Sequence, residues 1–351
     1  MPSIIKPSIP LIPLAKNDLG LTIRNYEGSM STLCAGCGHD SITSAIIRSF
    51  FEMSLPPERI AKISGIGCSS KTPTYFVSGA HGFNSVHGRM PSIATGANAA
   101  NRSSIYIGIS GDGDSLSIGA GQLVHAIRRN VDMVYLIENN GVYGLTKGQF
   151  SATADVGSRA KKGKANKVTP IDPALLAISL GASFVARSFS GDKEQLVPIL
   201  KAAISHRGFA LIDVISPCVQ FNNHNGSTKS YSYVREHELK DIETSYVGEF
   251  SEITADLTQG NLTSVTLHDG SEVVFRSLPA GYDSHSRESA IAYINGAVAR
   301  NEIPTGLLFI DEQAPDMHQV LETTSEALVD LSYESLCPGG GQLEKFNQSF
   351  K

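Results

Sequence analysis

The chain has 351 residues, with 29 Lys and Arg against 34 Asp and Glu and a net charge of -5. No segment combines clustered basic residues with interleaved aromatic ones, which excludes an evident nucleic-acid-binding surface. Charged residues make up only 18% of the chain, so we expect part of its surface to be covered by another subunit. The apolar stretches are short and interrupted by proline, and no signal-like segment precedes them, which predicts a cytoplasmic protein without a membrane span.

The pattern of apolar residues predicts a doubly wound α/β fold with a mainly parallel sheet. Residues 1–33 are rich in proline and aperiodic, and are expected to form an extended arm. A helix is predicted at 39–52, because apolar residues recur there at helical spacing. Short apolar runs without polar alternation then alternate with helical segments, as in strands that are buried on both faces. The predicted strands are 60–66, 104–110, 133–138, 183–187 and 210–215, and the predicted helices are 93–101, 120–129, 173–180 and 193–206.

The pattern changes after Cys218, where the sequence becomes polar and rich in turns. We therefore expect the sheet to end near Pro217. A hairpin over 265–275 is predicted around Asp269-Gly270, followed by a helix at 286–301 and a strand at 305–310. This gives three segments: an arm (1–33), a cofactor-binding domain (34–220), and a C-terminal extension (221–351) that packs on the domain and on a partner subunit.

Two loops at the carboxyl ends of neighbouring predicted strands have the composition of a diphosphate and metal site. The first loop begins Gly111-Asp112-Gly113-Asp114, and the second contains Asn140, twenty-eight residues after Asp112, and Val142. Such loops face one crevice in a parallel sheet. Glycines allow a phosphate to approach the backbone, and the oxygens of Asp112 and Asn140 suit Mg²⁺. The alternative, two ordinary strand-to-helix turns, is weakened by the agreement of spacing and placement.

Four of the five cysteines are predicted to converge on the same crevice. Cys34 and Cys37 are separated by two residues, a spacing that allows both thiolates to reach one metal centre. Cys68 and Cys218 each follow a predicted strand. The residue types fit either a structural zinc or an iron–sulfur cluster, and Cys68 and Cys218 could also be a buried, inert pair. Cys337 lies in a glycine-rich tail outside this arrangement.

The spacing of GDGD and ENNGVYG resembles that of the thiamine diphosphate enzymes. Together with CAGCGHDSI, GIGCSSK, HGR at 87–89 and Pro217-Cys218, these motifs resemble the beta subunits of the 2-oxoacid:ferredoxin oxidoreductases, especially the 2-oxoglutarate type. The resemblance is most specific over residues 30–220. It implies that Mg²⁺ and thiamine diphosphate bind to Asp112, Asn140 and the Val142 carbonyl, and that Cys34, Cys37, Cys68 and Cys218 bind one 4Fe-4S cluster.

The resemblance also implies an activity and partners. The expected reaction is the reversible, CoA-acylating oxidative decarboxylation of a 2-oxoacid, with 2-oxoglutarate favoured, and with electrons passing singly through the cluster to ferredoxin. An alpha subunit is expected to supply the glutamate that activates thiamine diphosphate, in a dimer of alpha–beta heterodimers. The alternatives are an enzyme for pyruvate or a broad range of 2-oxoacids, a non-redox thiamine diphosphate enzyme, or a zinc-stabilised binding module.

Five further residues in or near the motifs are candidates for contact with cofactor or substrate. Lys71 and Lys147 could face the substrate, since a second carboxylate needs a cation, although either could be an ordinary surface lysine. His39, His87 and Arg89 could contact the diphosphate or the reacting centre, although a hydrogen-bonded structural histidine is the alternative for His39 and His87.

Overall fold

The buried apolar segments form the strands of one seven-stranded sheet, in a computed structural model that describes residues 14–159, 165–240, 242–248, 261–267, 269–277, 282–337 and 339–351. The strands, including those of three smaller sheets, are β1 (Ile60–Ser64), β2 (His81–Asn84), β3 (Ile105–Gly111), β4 (Met133–Asn139), β5 (Val142–Tyr143), β6 (Gln149–Phe150), β7 (Phe184–Phe189), β8 (Phe209–Ile215), β9 (Glu238–Leu239), β10 (Ile242–Val247), β11 (Asn261–Thr266), β12 (Glu272–Ser277), β13 (Ile303–Pro304) and β14 (Gly306–Ile310).

The large sheet has the order β14-β7-β8-β4-β3-β1-β2. All neighbouring pairs are parallel except β14, which runs antiparallel to β7. Every residue of the central strands β4 and β8 is buried, which explains why their sequences show no polar alternation. The predicted doubly wound, mainly parallel α/β fold is confirmed.

Helices cover the sheet, and most of them lie where the spacing of apolar residues predicts them. Asp172 and Asp192 cap two of these helices through hydrogen bonds from Leu175 N and Gln195 N, as short acceptor side chains commonly do. The helices are α1 (Gly38–Glu52), α2 (Met90–Ala100), α3 (Ala120–Arg128), α4 (Pro173–Leu180), α5 (Lys193–Ser205), α6 (Tyr231–His237), α7 (Arg287–Ala299), α8 (Met317–Leu321), α9 (Tyr333–Leu336) and α10 (Gly340–Gln348).

The prediction that the sheet ends near Pro217 is wrong. The fully buried strand β14 comes from the C-terminal extension and adds an antiparallel edge beyond β7. Its apolar sequence gains more from burial against β7 than from a separate layer. At the opposite edge, β2 was missed because all four of its residues are exposed and none of the expected apolar run is present. The predicted hairpin corresponds to β11 and β12.

The second half of the predicted arm is part of the domain. Tyr26 is fully buried in the main core, and its hydroxyl donates to the Leu55 carbonyl at 2.8 Å. Residues 1–13 lie outside the described residues, so the extended arm and the three segment boundaries remain predictions. Within the described ranges, no helix combines the length and apolar character that a bilayer span requires.

Candidate active site

The two motif loops meet at the carboxyl edge of the sheet. Asp112 follows β3, and the Asn140-Gly141 turn follows β4, the parallel neighbour of β3. The Gly141 amide donates to Asp112 Oδ2 at 3.2 Å, so the two loops are in direct contact. Gly141 has a φ of +75°, and a Cβ at this position would lie 2.7 Å from Asn222 Nδ2. The turn therefore requires glycine for both its conformation and its packing.

The hydrogen bonds of Asp112 are concentrated on one carboxylate oxygen. Oδ2 accepts from the Ser151 hydroxyl, from the Thr153 hydroxyl at 2.5 Å and from Gly141 N, and the Asn140 backbone also acts on this carboxylate. Burial raises the pKa of Asp112, and the two hydroxyls oppose this shift. The carboxylate is thus oriented by several donors, most of them on one oxygen, as is common for a residue that binds a cation.

A chain of polar groups inside the sheet supports this arrangement. The Thr153 hydroxyl also lies 2.8 Å from Asn139 Oδ1, but its single proton is best given to the charged Asp112. Asn139 Nδ2 donates to Asp213 Oδ1 at 2.9 Å, and Arg187 Nε donates to the other oxygen of Asp213 at 2.8 Å. The buried ion pair of Arg187 and Asp213 therefore holds the Asn139 side chain in place beside Thr153.

Asn140 is oriented so that its side-chain oxygen is suited to bind a cation. Its Oδ1 accepts from Val142 N at 3.0 Å, which retains one lone pair for a cation, and its carbonyl accepts from Asn222 Nδ2 at 2.8 Å. Asn140 is buried and Val142 is half-buried. Asp112, Asn140 and the Val142 carbonyl together offer the hard oxygens that Mg²⁺ prefers, so the residues fit the predicted metal.

Asp114, two residues after Asp112, is engaged differently, because both of its oxygens accept hydrogen bonds within the chain. Oδ1 accepts from Gly88 N at 2.7 Å and contacts His87 Nδ1, and Oδ2 accepts from the Ser110 hydroxyl at 2.6 Å. This carboxylate joins the HGR loop to the end of β3. Asp114 thus has the geometry of a residue that positions loops. Its contact with the cofactor remains a prediction.

Two of the predicted cluster cysteines meet at one glycine. A Cβ on Gly144 would lie 3.3 Å from Cys68 Sγ and 3.6 Å from Cys218 Sγ. Both thiols are free and partly accessible, and Cys34 is exposed at the mouth of the same region. Gly144 lies only four residues after Asn140, so one short segment borders both the thiol pair and the oxygen ligands.

The electrostatics of the thiols connect all four cysteines. Burial raises the pKa of Cys37 to about 12, with smaller contributions from Glu138, Cys218 and Cys68. Burial also raises the pKa of Cys68, followed by the effects of Cys218 and Cys34. Neighbouring thiols that oppose one another's ionisation need a strongly positive centre to become thiolates together, which is the chemistry of a metal cluster.

No group of three or more His, Cys, Asp or Glu side chains within the described ranges is arranged around a single ion. The oxygen set above contains only one such side chain, Asp112. The thiolates of a four-iron cluster bind different irons, so they need not meet at one point. The donor chemistry of the four cysteines therefore fits an iron–sulfur cluster, and thiolates also suit zinc.

Three of the predicted site residues lie apart from Asp112. His39 is buried, with Nδ1 2.7 Å from the Ser216 hydroxyl and 3.4 Å from Glu138 Oε2, and burial lowers its pKa to about 4. Lys147 is exposed in the tight β5–β6 hairpin with a φ of +79°. Arg89 is exposed at the N-terminus of α2. None of the three is brought onto Asp112, and their predicted roles remain predictions.

Lys71 and His87 lie nearer to the motif loops. Lys71 is half-buried in the 3₁₀ turn after Cys68. The pKa of that thiol is raised by burial, and the charge of Lys71 offsets a small part of the shift. His87 contacts Asp114 and packs edge-on against Tyr143, with ring centroids 6.1 Å apart.

Sequence reasoning missed the residues that support the ligands. Ser151 and Thr153 belong to no motif, and only their two-residue spacing after β6 hints that both hydroxyls share one face. Glu138 is fully buried beside the thiols, and Thr72 Oγ1 donates to its Oε1 at 2.9 Å. Burial raises the pKa of Glu138 well above its usual range. A glutamate within an apolar strand was the available signal.

Comparison with known proteins agrees with this geometry. A family described as "Thiamine pyrophosphate enzyme, C-terminal TPP binding domain" matches residues 65–214. The 2-oxoacid:ferredoxin oxidoreductase subunit beta of Saccharolobus solfataricus is 44% identical over 207 residues, which are 59% of this chain and 67% of that protein. The 2-oxoglutarate synthase subunit KorB of Methanothermobacter thermautotrophicus is 34% identical over 211 residues, 59% of this chain and 73% of that protein.

This chain belongs to the family of 2-oxoacid:ferredoxin oxidoreductase beta subunits. A solved structure agrees: the 2-oxoglutarate:ferredoxin oxidoreductase from Magnetococcus marinus, with 2-oxoglutarate, coenzyme A and succinyl-CoA bound, superposes with a TM-score of 0.71 at 27% identity. The match covers 93% of this chain and 97% of that one, so it includes the C-terminal extension. The family resemblance expected from the sequence is confirmed, and so is its thiamine diphosphate-binding fold.

Proposed function

We propose that this chain is the beta subunit of an enzyme that converts a 2-oxoacid and CoA to an acyl-CoA and CO₂ and reduces two ferredoxins by one electron each. The observation that carries the proposal is the segment from Asn140 to Gly144. Its first residue contributes to the oxygen set with Asp112, and its last residue lies against the sulfurs of Cys68 and Cys218. A decarboxylation site and an electron exit at this short separation suit the transfer of single electrons.

The residues have separate tasks in this proposal. Asp112, Asn140 and the Val142 carbonyl would hold the Mg²⁺ of thiamine diphosphate, and Gly111 and Gly113 would allow the diphosphate to approach the backbone. When bound, thiamine diphosphate supplies the electron sink for decarboxylation. Cys34, Cys37, Cys68 and Cys218 would ligate one 4Fe-4S cluster. Glu138 and His39 form the buried polar support behind this thiol group, near enough to Cys37 to affect its pKa.

A partner alpha subunit would complete the site, in keeping with a beta subunit that provides one cofactor-binding domain. Apolar side chains are exposed around the carboxyl edge, among them Val86 at 76%, Leu145 at 50% and Phe83 at 44%. Such side chains near a charged crevice favour an interface with another protein. We propose a dimer of alpha–beta heterodimers with ferredoxin as the electron acceptor.

The decisive experiment is anaerobic co-purification with alpha, with analysis of iron, acid-labile sulfide and 2-oxoacid-dependent ferredoxin reduction. Cys68→Ala should remove both the cluster and ferredoxin reduction. Cys337→Ala is the matched control, because Cys337 is exposed in the C-terminal tail, and should leave the iron content unchanged. Three results would contradict the proposal: equal iron loss in both variants, zinc in place of iron, or consumption of the 2-oxoacid without ferredoxin reduction.

For the substrate, we propose 2-oxoglutarate rather than pyruvate or a broad range of 2-oxoacids. Its second carboxylate must be paired when it leaves water, and Lys71 and Lys147 are the candidate cations of this chain. Loss of the lysine that pairs with it should cost on the order of 2–5 kcal/mol in transition-state binding of the dicarboxylate and much less for pyruvate. The ratio of kcat/KM for the two substrates in Lys71→Ala and Lys147→Ala tests this role. An unchanged ratio in both variants rejects it.

A further inference from the structure

A second cavity lies at the opposite edge of the sheet. Its volume is about 380 Å³, and it is lined by the first residues of β3 and β4 and by the turn that precedes β8. Because β3 has seven residues at about 3.3 Å each, this amino edge is on the order of 20 Å from Asp112. We call it the amino-edge cavity and define it by Arg59, Arg102, Asp132, Arg207 and His318. Its volume lies within the range of small-molecule sites.

Two arginines of the cavity have unused hydrogen-bonding capacity. Arg102 is half-buried and Arg207 is exposed, and neither guanidinium donates a hydrogen bond to any residue that the structure describes. Both charges act on Asp132, which places them around one point. In contrast, Arg59 is fixed at the rim, since its Nε and Nη2 donate to the Ser103 carbonyl at 3.2 and 2.7 Å.

The interior of the cavity adds two polar groups. Asp132 Oδ1 accepts from Gly208 N at 3.1 Å, and burial raises the pKa of this carboxyl to about 6. His318 is buried, and its Nδ1 lies 2.7 Å from Thr323 Oγ1. Its Nε2 is buried without a hydrogen-bond partner among the described residues, which is an uncommon and costly arrangement. Arg102 acts electrostatically on His318 as well as on Asp132.

Three aspartates line the cavity beside its three arginines, and two of these aspartates accept hydrogen bonds from their own turns. Asp316 caps α8 and accepts from Gln319 N at 2.7 Å, and Asp269 accepts from Ser271 N at 3.0 Å within its own turn. Asp316 also acts electrostatically on Asp132 and on His318, so its charge reaches the interior of the cavity. The stabilisation of an anion here would come from direct, bidentate pairing with arginine rather than from an excess of positive charge.

We propose that the amino-edge cavity binds a phosphate monoester of nucleotide size, whose phosphate pairs with Arg102 and Arg207 and whose remaining polar groups bind Asp132 and the region of His318. Two planar guanidinium groups match the oxygens of a phosphate. Asp132 accepts hydrogen bonds and therefore suits the N–H or O–H groups of a nucleoside. The site is remote from the motif loops and does not depend on the proposed function.

The test uses calorimetric titration of the assembled alpha–beta enzyme, saturated with thiamine diphosphate and Mg²⁺ so that the carboxyl-edge site cannot take up the probe. AMP should bind with one site per beta chain, inorganic phosphate should compete with it, and adenosine should bind at least about tenfold more weakly. Arg102→Gln and Arg207→Gln should each weaken AMP binding at least about tenfold, and Arg102→Lys should restore part of it.

Arg128→Gln is the matched control, since Arg128 is exposed on α3 away from the cavity, and should leave AMP binding unchanged. Equal thermal unfolding temperatures of the variants establish that the changes are local. The proposal is overturned if AMP does not bind saturably at millimolar concentration, if adenosine binds as tightly as AMP, or if binding is unchanged in both Arg102→Gln and Arg207→Gln. Thiamine diphosphate content, measured in parallel, reports separately on the proposed function.

Discussion

The two edges of the large sheet each hold a buried or partly buried aspartate in a candidate site, but the two sites are built differently. At the carboxyl edge, Asp112 receives three hydrogen bonds on one oxygen from Gly141, Ser151 and Thr153. At the amino edge, Asp132 receives one, from Gly208, and otherwise experiences the opposing charges of Asp316, Arg207 and Arg102. A preorganised set of short-range donors suits a metal ligand of fixed geometry, whereas guanidinium groups that donate to no described residue suit an anion.

The difference also explains which of the two candidate sites can be recognised from the sequence. The carboxyl edge consists of contiguous loops, so glycines, aspartates and cysteines stand together as motifs. The amino edge combines Arg102, Asp132, Arg207 and His318, which are separated by long intervals and come together only through the fold. A site assembled from single residues on separate strands and turns leaves no local pattern.

The largest expected effect is that of Asp112→Ala at the carboxyl edge. This change leaves the diphosphate without its charged metal ligand, and we expect thiamine diphosphate affinity to fall by at least about 100-fold, or about 3 kcal/mol. The cluster should persist, since no cysteine contacts Asp112. The measurement is thiamine diphosphate and iron content of the purified alpha–beta enzyme. Retention of the cofactor at normal stoichiometry would remove Asp112 from the metal site.

Asp114→Asn should affect folding rather than cofactor affinity. Both oxygens of Asp114 accept hydrogen bonds, so an amide would either place an N–H against Gly88 N or force the Ser110 hydroxyl to change from donor to acceptor. We expect the free energy of unfolding to fall by about 2–3 kcal/mol, as for an unsatisfied buried group. Denaturant unfolding beside the exposed control Asp330→Asn tests this. A large loss of thiamine diphosphate affinity at unchanged stability would instead make Asp114 a cofactor contact.

The central sheet was predictable because its strands are apolar throughout and lie between helices of recognisable spacing. The same reasoning did not predict the pairing of β14 with β7. A five-residue apolar strand has the same sequence pattern whether it pairs within the main sheet or elsewhere. It also failed for β2, whose exposed residues carry no burial signal. Pairing between distant segments is decided by tertiary packing, which a local pattern does not contain.

The candidate site divides in the same way. Asp112, Asn140 and the cysteines were predictable because the chemistry restricts their residue types. Ser151 and Thr153 were not, because many residue types can donate to a carboxylate and only the fold brings these two onto Asp112. The burial of His39 against Ser216 was likewise invisible, since Ser216 lies at the end of a strand 177 residues away in the chain.

Thr153→Val tests whether the rigidity of the carboxyl edge matters. The change keeps the shape of the side chain and removes the hydroxyl that donates to Asp112 Oδ2 at 2.5 Å. We expect thiamine diphosphate to bind about tenfold more weakly in the presence of Mg²⁺, in the range for a residue that orients a metal ligand. Thr146→Val, in the exposed part of the β5–β6 hairpin, is the control and should bind normally. Equal affinities for both variants would show that Asp112 needs no such support.

The smallest effect is expected at the amino edge, from Asp132→Asn in the absence of ligand. Burial raises the pKa of this carboxyl from 3.8 to about 6, so between these pH values the folded protein binds a proton that the unfolded chain has lost. The free energy of unfolding should therefore fall as pH rises from 4 to 6, and the stabilisation from the protonated carboxyl is lost above pH 6. In the Asp132→Asn variant, the amide side chain keeps an oxygen for Gly208 N and never ionises, which removes the decline.

Because the charges of Arg207 and Arg102 oppose the shift and solvent screens charges in an open cavity, we expect the wild type and Asp132→Asn to differ by about 1 kcal/mol in this pH dependence. Denaturant unfolding of both proteins at pH 4.5 and 7 measures the difference, and His318 titrates in both proteins and so cancels in the comparison. Parallel pH dependences would mean that Asp132 stays ionised in the folded protein. Its carboxylate would then already be paired with the two arginines, and the amino edge would resemble a closed ion-pair cluster rather than a site that can receive an anion.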